Sequence, residues 1–206
     1  MTVIDTRMDA PSSEEAEREK NLGICLVHLP ALEMIPLETP VCLSSFDTAF
    51  VASPRAARLA QESLKKWGRN VWAVGSATAA ILRNSGVKVS EEGNAEGALL
   101  FFEQIAKTHR EFPAKKIAWL SALETEVSLE FLREKYGAEI VHFPLYETLF
   151  RKPSVEEIEN LPHPRKWRFY SGKGVESLFS YIAAADEVEL VGKSAEKMMN
   201  KLKGNA

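Results

Sequence analysis

Apolar residues along this chain fall into two alternating patterns: short unbroken runs, and longer stretches in which they recur at helical spacing among charged residues. The runs predict strands at Val3–Asp5, Ile24–Val27, Ala49–Ala52, Val71–Val74, Val87–Val89, Ile117–Leu120, Glu139–Phe143, Arg168–Tyr170 and Val188–Val191. The stretches predict helices at Ser12–Lys20, Pro54–Lys66, Thr78–Asn84, Ala95–Thr108, Thr125–Tyr136, Gly174–Ala184 and Ala195–Leu202. Ser12 or Ser13 caps the first helix, with Glu15 or Glu17 in its first turn, while Gly86 and Gly137 close two others. Prolines interrupt pairing and predict extended linkers at about 30–45 and 144–157. Alternation of this kind predicts parallel sheets layered with helices and joined by right-handed crossovers.

Comparison of the chain with itself shows a duplication. Gly23-Ile-Cys-Leu-Val-His28-Leu-Pro-Ala-Leu-Glu33 aligns with Gly137-Ala-Glu-Ile-Val-His142-Phe-Pro-Leu-Tyr-Glu147 at one constant offset, sharing Gly, Val-His, Pro and Glu. Phe50-Val-Ala-Ser53, followed by Val74-Gly75, returns as Phe169-Tyr-Ser171, followed by Val191-Gly192. Each copy runs strand, helix, strand and extended segment, then strand, Ser, helix, strand, Gly and helix.

Composition adds limits. With 45% hydrophobic, 27% charged and 9% aromatic residues, the 206-residue chain is globular rather than disordered or disulfide-stapled, and long enough for two small domains. Lys plus Arg number 26 against 29 Asp plus Glu, a net charge of −3, so no basic footprint suggests nucleic acid as a partner. Any acidic ligand must therefore be held by local donors. Cys25 and Cys42 lie in apolar stretches without CxxC spacing and are expected to be buried thiols, neither disulfide nor zinc site. No apolar run has signal-peptide or membrane-spanning length, so the chain is expected to be cytoplasmic, without membrane contact.

In a parallel α/β sheet, ligands collect where strand carboxyl ends meet the amino ends of the following helices. Hydroxyl residues cluster at those turns: Thr6-Arg7, Ser53-Pro54-Arg55, Gly75-Ser76-Ala77-Thr78, Ser121, Ser171-Gly172-Lys173 and Gly192-Lys193-Ser194. Any one of these turns alone reads first as an ordinary helix cap. Their recurrence at equivalent strand ends predicts a site for carboxylate or phosphate oxygens. Gly172-Lys-Gly174-Val-Glu-Ser177 puts Ser where a dinucleotide loop needs its third glycine, and Gly192-Lys193-Ser194 lacks the upstream glycine of a phosphate loop. No cofactor is expected. His28, His109, His142 and His163 show no ligand spacing, so no metal is expected, and His28 and His142, at equivalent strand ends, are assigned structural roles. Tyr146 stands at the start of the second linker, where a tyrosine packs or, facing a cleft, donates a hydrogen bond or a proton.

In order and spacing these turns resemble the uroporphyrinogen-III synthase family over nearly the whole chain. Thr6-Arg7 is similar to the family's opening Thr-Arg, Leu32-Glu33 to Pro36-Leu37 to its E-x-x-P-L linker, and Phe50 to Ser53 with Pro54-Arg-Ala to its F-T-S-P-x-A-V turn. Val74-Gly75-Ser-Ala-Thr78-Ala79 is similar to its V-G-x-x-T-A, and Gly93-Asn94-Ala-Glu-Gly97 to its next helix start. Phe143-Pro-Leu-Tyr146-Glu-Thr148 matches the return linker, whose tyrosine is the side chain most often linked to catalysis in the family.

The resemblance implies an α/β fold of two flavodoxin-like parallel lobes (HemD-like) joined by a two-stranded antiparallel linker, with strand ends facing a shared cleft. One lobe would be discontinuous, residues 1–36 plus 150–206, and the other continuous, residues 40–145. It further implies cofactor-free cyclisation of hydroxymethylbilane, a linear tetrapyrrole bearing carboxylate arms, to uroporphyrinogen III with inversion of the last ring and loss of water. Tyr146 would then be the proton donor, and Thr6, Arg7, Ser53, Ser76, Thr78, Ser171, Gly172, Lys173, Lys193 and Ser194 the substrate contacts. The protein would be a monomer in transient contact with the enzyme supplying its substrate.

Three departures stand beside the resemblance. Ser121-Ala-Leu-Glu124 occupies the place of the family's Arg-Gly, and the second V-G-x-x-T-A is reduced to Val191-Gly-Lys-Ser-Ala195. The discontinuous lobe is also expected to be shortened at its C-terminus, with one strand fewer than its partner and an edge open to cover by a linker or another chain. These departures favour an alternative function, a non-catalytic two-lobed module binding a tetrapyrrole or another polycarboxylate; Tyr146 and Thr78 favour the enzyme.

Overall fold

The computed structural model describes residues 1–94, 97–125 and 127–204. Its elements run β1 (Thr2–Asp5), α1 (Ser13–Asn21), β2 (Cys25–His28), β3 (Leu32–Pro36), β4 (Thr48–Val51), α2 (Pro54–Trp67), β5 (Asn70–Ala73), α3 (Ser76–Asn84), β6 (Val89–Glu92) and α4 (Ala98–Thr108). They continue with β7 (Lys116–Ala122), α5 (Leu129–Tyr136), β8 (Glu139–Phe150), α6 (Val155–Glu159), β9 (Arg165–Phe169), α7 (Gly172–Leu178), β10 (Glu187–Leu190) and α8 (Lys193–Gly204). Two compact units result: unit 1 is Met1–Met34 with the chain from Thr148 onward, and unit 2 is Ile35–Glu147. The chain crosses between them inside β3 and again inside β8, which lie side by side. Hydrogen bonds from Leu37 N to Leu145 O and from Arg151 N to Ala31 O run these two strands in opposite directions.

The strand order of unit 1 is β10-β9-β1-β2, and that of the larger sheet is β3-β8-β7-β4-β5-β6, with β8 to β6 all parallel. Replacing β10, β9, β1 and β2 by β5, β4, β7 and β8 turns one order into the other. The duplicated sequence therefore folds into duplicated topology. Among the described residues, β6 and α4 have no counterpart in unit 1.

Registers align the copies residue by residue. Across unit 2 one row reads Trp72, Phe50, Trp119 and His142; across unit 1 the same row reads Glu189, Arg168, Asp5 and His28. In unit 2 this face is covered by α4, whose Phe101 stacks 4.9 Å from Phe50, while Trp119 meets Phe50 edge-on at 4.8 Å. Each such buried aromatic contributes about 1.5–3 kcal/mol. In unit 1 the row carries ion pairs instead: Arg168 with Glu19 at 2.9 Å and Glu189 at 3.0 Å, and Asp5 with Arg7 at 2.8 Å. Without a counterpart of the aromatic α4, this face is met by α1 through Glu19, and its row is polar and ion-paired. The opposite face of unit 1, with Trp167 and Phe169, packs on Val175 and Leu178 of α7 and Met199 of α8.

Several expectations require correction. Cys25 and Cys42 are exposed, because Cys25 opens the edge strand β2 and Cys42 lies in the loop before β4. For the same reason β2 is only partly buried rather than covered on both faces. The strand expected at Val87–Val89 begins at Val89, since Val87 N bonds Leu82 O in the closure of α3 beyond Gly86, whose φ is +82°. Strand β8 does not stop at Phe143 but runs through Pro144 to Phe150, with a register shift against β7 between Ser121 and Ala122 that accommodates the missing N–H. The helix expected from Thr125 starts at Leu129, where Ser128 Oγ accepts from Phe131 N. The start at Ala95 lies outside the described residues, as do Glu126 and Ala206; α4 is described from Ala98.

Candidate functional site

Unit 2 contains a cavity of about 380 Å³ at the carboxyl ends of its central strands. The starts of α2, α3 and α4 and the loop after β7 surround it, as parallel topology dictates. Ser53 stands at the N-cap of α2 in extended conformation, its Oγ accepting from Ala56 N at 3.1 Å. Pro54 behind it is preset for the first helical turn. The same Oγ lies 3.0 Å from the phenol oxygen of Tyr146, which is 6% exposed and projects from β8 into the cavity lining. Tyr146 is anchored through its carbonyl, which accepts from Leu123 N at 2.7 Å.

Two further helices meet the cavity with glycine caps. Gly75 precedes α3 and Gly97, at φ +108°, precedes α4; neither has a side-chain oxygen to pair with the first-turn N–H groups. Their positive ends favour an acceptor oxygen. Thr78 lines the wall, 1% exposed, whereas Ser76 is exposed on the outer side of α3. Ser121 stands near the end of β7. Its hydroxyl donates to Ala122 O at 2.9 Å and sits 2.8 Å from His142 Nε2, itself 3.0 Å from Ala122 O. An N–H on Nε2 serves both oxygens. Burial pushes His142 below its ordinary pKa, against the opposing pull of the Ala122 carbonyl, so the ring is held neutral.

The remaining sequence candidates belong to unit 1. Thr6 donates to Arg168 O at 2.9 Å. The Arg7 guanidinium is shared between Asp5, at 2.8 Å, and Glu15, at 3.0 Å, and lies 4.9 Å above the Tyr170 ring. Ser171 caps α7 by accepting from Gly174 N at 3.1 Å. Gly172 donates its N–H to Ser194 Oγ at 3.1 Å, and a Cβ there would stand only 3.0 Å from Ser194 O, so glycine permits α7 and α8 to touch. Lys173 and Lys193 are exposed. In this unit Thr6, Arg7, Ser171, Gly172 and Ser194 secure helix starts and strand ends, and His28 does likewise, its Nε2 at 2.9 Å from Arg7 O. In unit 2 the structure brings together Ser53, Thr78 and Tyr146. Trp119, which sequence reasoning counted as strand interior, joins them in the lining.

A family model described as uroporphyrinogen-III synthase HemD matches residues 13–191 of the chain. Among solved structures, the uroporphyrinogen-III synthetase of Helicobacter pylori superposes with a TM-score of 0.69 at 15% identity, covering 99% of this chain and 88% of that one. A mutant uroporphyrinogen III synthase of the extremely thermophilic bacterium Thermus thermophilus superposes with a TM-score of 0.60 at 14% identity, covering 98% and 89%. At such identities these two likenesses establish the two-lobed fold. No curated protein matches the sequence.

Proposed function

The chain belongs to the uroporphyrinogen-III synthase family, enzymes of tetrapyrrole biosynthesis, and on that premise we propose that Tyr146 and the unit 2 cavity carry its chemistry. The observation that carries this reading is the 3.0 Å contact between Ser53 Oγ and the Tyr146 phenol at the mouth of three helix starts.

Cyclisation of hydroxymethylbilane requires its terminal C–O bond to break, which is easy only if the departing hydroxyl takes a proton and leaves as water. Tyr146 supplies that proton. Ser53 Oγ accepts from Ala56 N–H, and its 3.0 Å contact with the Tyr146 oxygen can run in either direction; with the Ser53 hydroxyl donating, the phenol proton is left for the substrate. As negative charge develops on the phenol oxygen, the Ser53 hydroxyl and the positive end of α2 stabilise it. The exposed carbon is then attacked by the substituted carbon of the last ring, giving a spiro intermediate that reopens and recloses with that ring inverted. The proton returns to Tyr146 when the final ring carbon loses its hydrogen, so water is the sole by-product. The glycine-capped ends of α3 and α4 hold acid arms, fixing which carbon lies nearest.

Thr6, Arg7, Ser171, Gly172 and Ser194 contribute by holding helix starts and strand ends of unit 1 in place, while the exposed Lys173 and Lys193 offer positive charge to the substrate's acid arms. We further propose a cytoplasmic monomer that receives its labile substrate by transient contact with the enzyme making it; no helix among the described residues is long and apolar enough to cross a membrane. The test is to supply fresh hydroxymethylbilane, oxidise the products and separate the porphyrin isomers. The type III isomer is expected to dominate; a product no richer in type III than the spontaneous mixture would leave only the binding-module alternative.

A further inference from the structure

We infer that the outward row Lys193, Lys197 and Lys201 of α8 is a capture surface for the polycarboxylate substrate, on which acid arms of the linear tetrapyrrole rest before the chemistry; the identity of that ligand rests on the function proposed above. The three lysines stand four residues apart, so they follow one another along a single helix face at about 6 Å per step. All three are exposed, as is Lys203 in the last turn. The opposite face of α8 is committed to the core of unit 1, where Ala195 and Met199 are buried and Met198 and Leu202 pack beside them. Against its four lysines the helix carries one acid, Glu196. Among the described residues none of the four makes an ion pair. Elsewhere the pattern differs, since Lys20, Lys116, Lys135 and Lys166 each lie within 3.8 Å of a glutamate.

Folding gains nothing from this row. Like charges four residues apart on a helix repel, and Lys193 in the first turn meets the positive end of the helix dipole. What the row provides is a local positive field, which a chain of net charge −3 needs if it is to attract a polyanion. Its composition selects the partner. Lys193, Glu196, Lys197, Asn200 and Lys201 present no apolar surface, whereas the centre of a protein interface is apolar or aromatic and poor in lysine. A membrane surface takes an amphipathic helix by its apolar side, which α8 has buried in its own unit. A linear tetrapyrrole instead carries carboxylates on every ring, so cations at regular intervals meet several of them at once without a fixed fit. Each contact is weak, screened by salt, and concerned with arrival rather than with bond breaking.

Lys197→Gln/Lys201→Gln tests this while leaving Lys193 in place. Glutamine suits a helix as well as lysine does, so the variant is expected to unfold at the same or a higher temperature than the parent. Its KM for hydroxymethylbilane at low salt is expected to rise about fivefold with kcat little changed, and its dissociation constant for uroporphyrinogen III, kept reduced under anaerobic conditions, to rise similarly. Raising the ionic strength to about 0.3 M is expected to erase most of the difference, because the parent loses affinity and the variant has less to lose. Lys65→Gln/Lys66→Gln, at the end of α2 remote from Ser53, makes the same change in net charge and is expected to keep the parent's KM. Parent-like KM and salt dependence in the α8 variant, or an equal rise in both variants, would overturn the inference. So would lost binding to phosphatidylserine vesicles with substrate affinity intact, or a clear drop in unfolding temperature, which would give the lysines to the helix itself. A parent protein that makes no excess type III isomer would instead overturn the proposed activity, and affinity for uroporphyrinogen III would then test the α8 row alone.

Discussion

Ser53 Oγ serves two partners at once, accepting from Ala56 N at 3.1 Å as the cap of α2 and lying 3.0 Å from the Tyr146 phenol. Structure and chemistry therefore meet in a single oxygen. Ser53→Ala is expected to lower unfolding free energy by about 1 kcal/mol through the lost cap. It should also reduce kcat by more than that stability change explains, whereas Ser53→Thr restores both. Urea unfolding beside steady-state turnover separates the two effects; a variant destabilised but fully active would detach Ser53 from the chemistry.

Arg165 and Asp186 form an ion pair at 2.8 Å with side chains only 6% and 1% exposed, and Asp186 also accepts from Trp167 Nε1 and Ala183 N. Removing one partner strands the other without water. Asp186→Ala is expected to destabilise by roughly 3–5 kcal/mol in chemical denaturation. A loss below about 1 kcal/mol would mean the pair is solvated.

Acid sensitivity follows from the same kind of contact. Burial would raise the pKa of Asp5, but the Arg7 side chain and backbone N–H and the Tyr170 hydroxyl outweigh it and hold the carboxyl below its ordinary 3.8. Asp186 is lowered in the same way against burial, by Arg165, Trp167 and Ala183. With folded values below unfolded ones, the unfolded chain takes up protons first on acidification. Stability is then full above about pH 4 and declines as pH falls further. Unfolding curves between pH 7 and pH 2 should show this, and Asp5→Asn should flatten the decline while lowering stability at pH 7.

Gly93 lies where a Cβ would stand 2.6 Å from Val74 O and 2.7 Å from Phe101 Cδ2. Backbone cannot yield as a side chain would. Gly93→Ala is expected to cost about 1–3 kcal/mol and to weaken substrate binding, because Val74 is part of the cavity wall. Thermal unfolding and KM measured together check both.

Much of this architecture is legible in the sequence because the duplication carries its own control. Gly23 and Gly137, His28 and His142, Ser53 and Ser171 match in the sequence, and each pair falls at the same place in the two sheets. What escaped reading did so for identifiable reasons. Arg165 and Lys166 look like loop residues, yet β9 includes them because Asp186 neutralises Arg165 inside the fold. The helix α6 has the capping-box pattern of Ser154 and Glu157 but is a single short turn that carries no hydrophobic period. Pro144 suggests a strand end, yet β8 passes through it where its pairing with β7 shifts. At the site, hydroxyl spacing points to Ser53, Thr78 and Tyr146, while Trp119 reads as core, since only coordinates reveal that it joins the cavity lining.

The most direct test of the central claim is the turnover of Tyr146→Phe on hydroxymethylbilane, with the porphyrin isomers separated. The phenyl ring keeps its place while the proton donor is lost. Loss of a general acid predicts kcat lower by about 10²-fold or more, with KM near the parent's and the product drifting toward the spontaneous type I isomer. Parent-like kcat and an undiminished type III fraction would contradict the account.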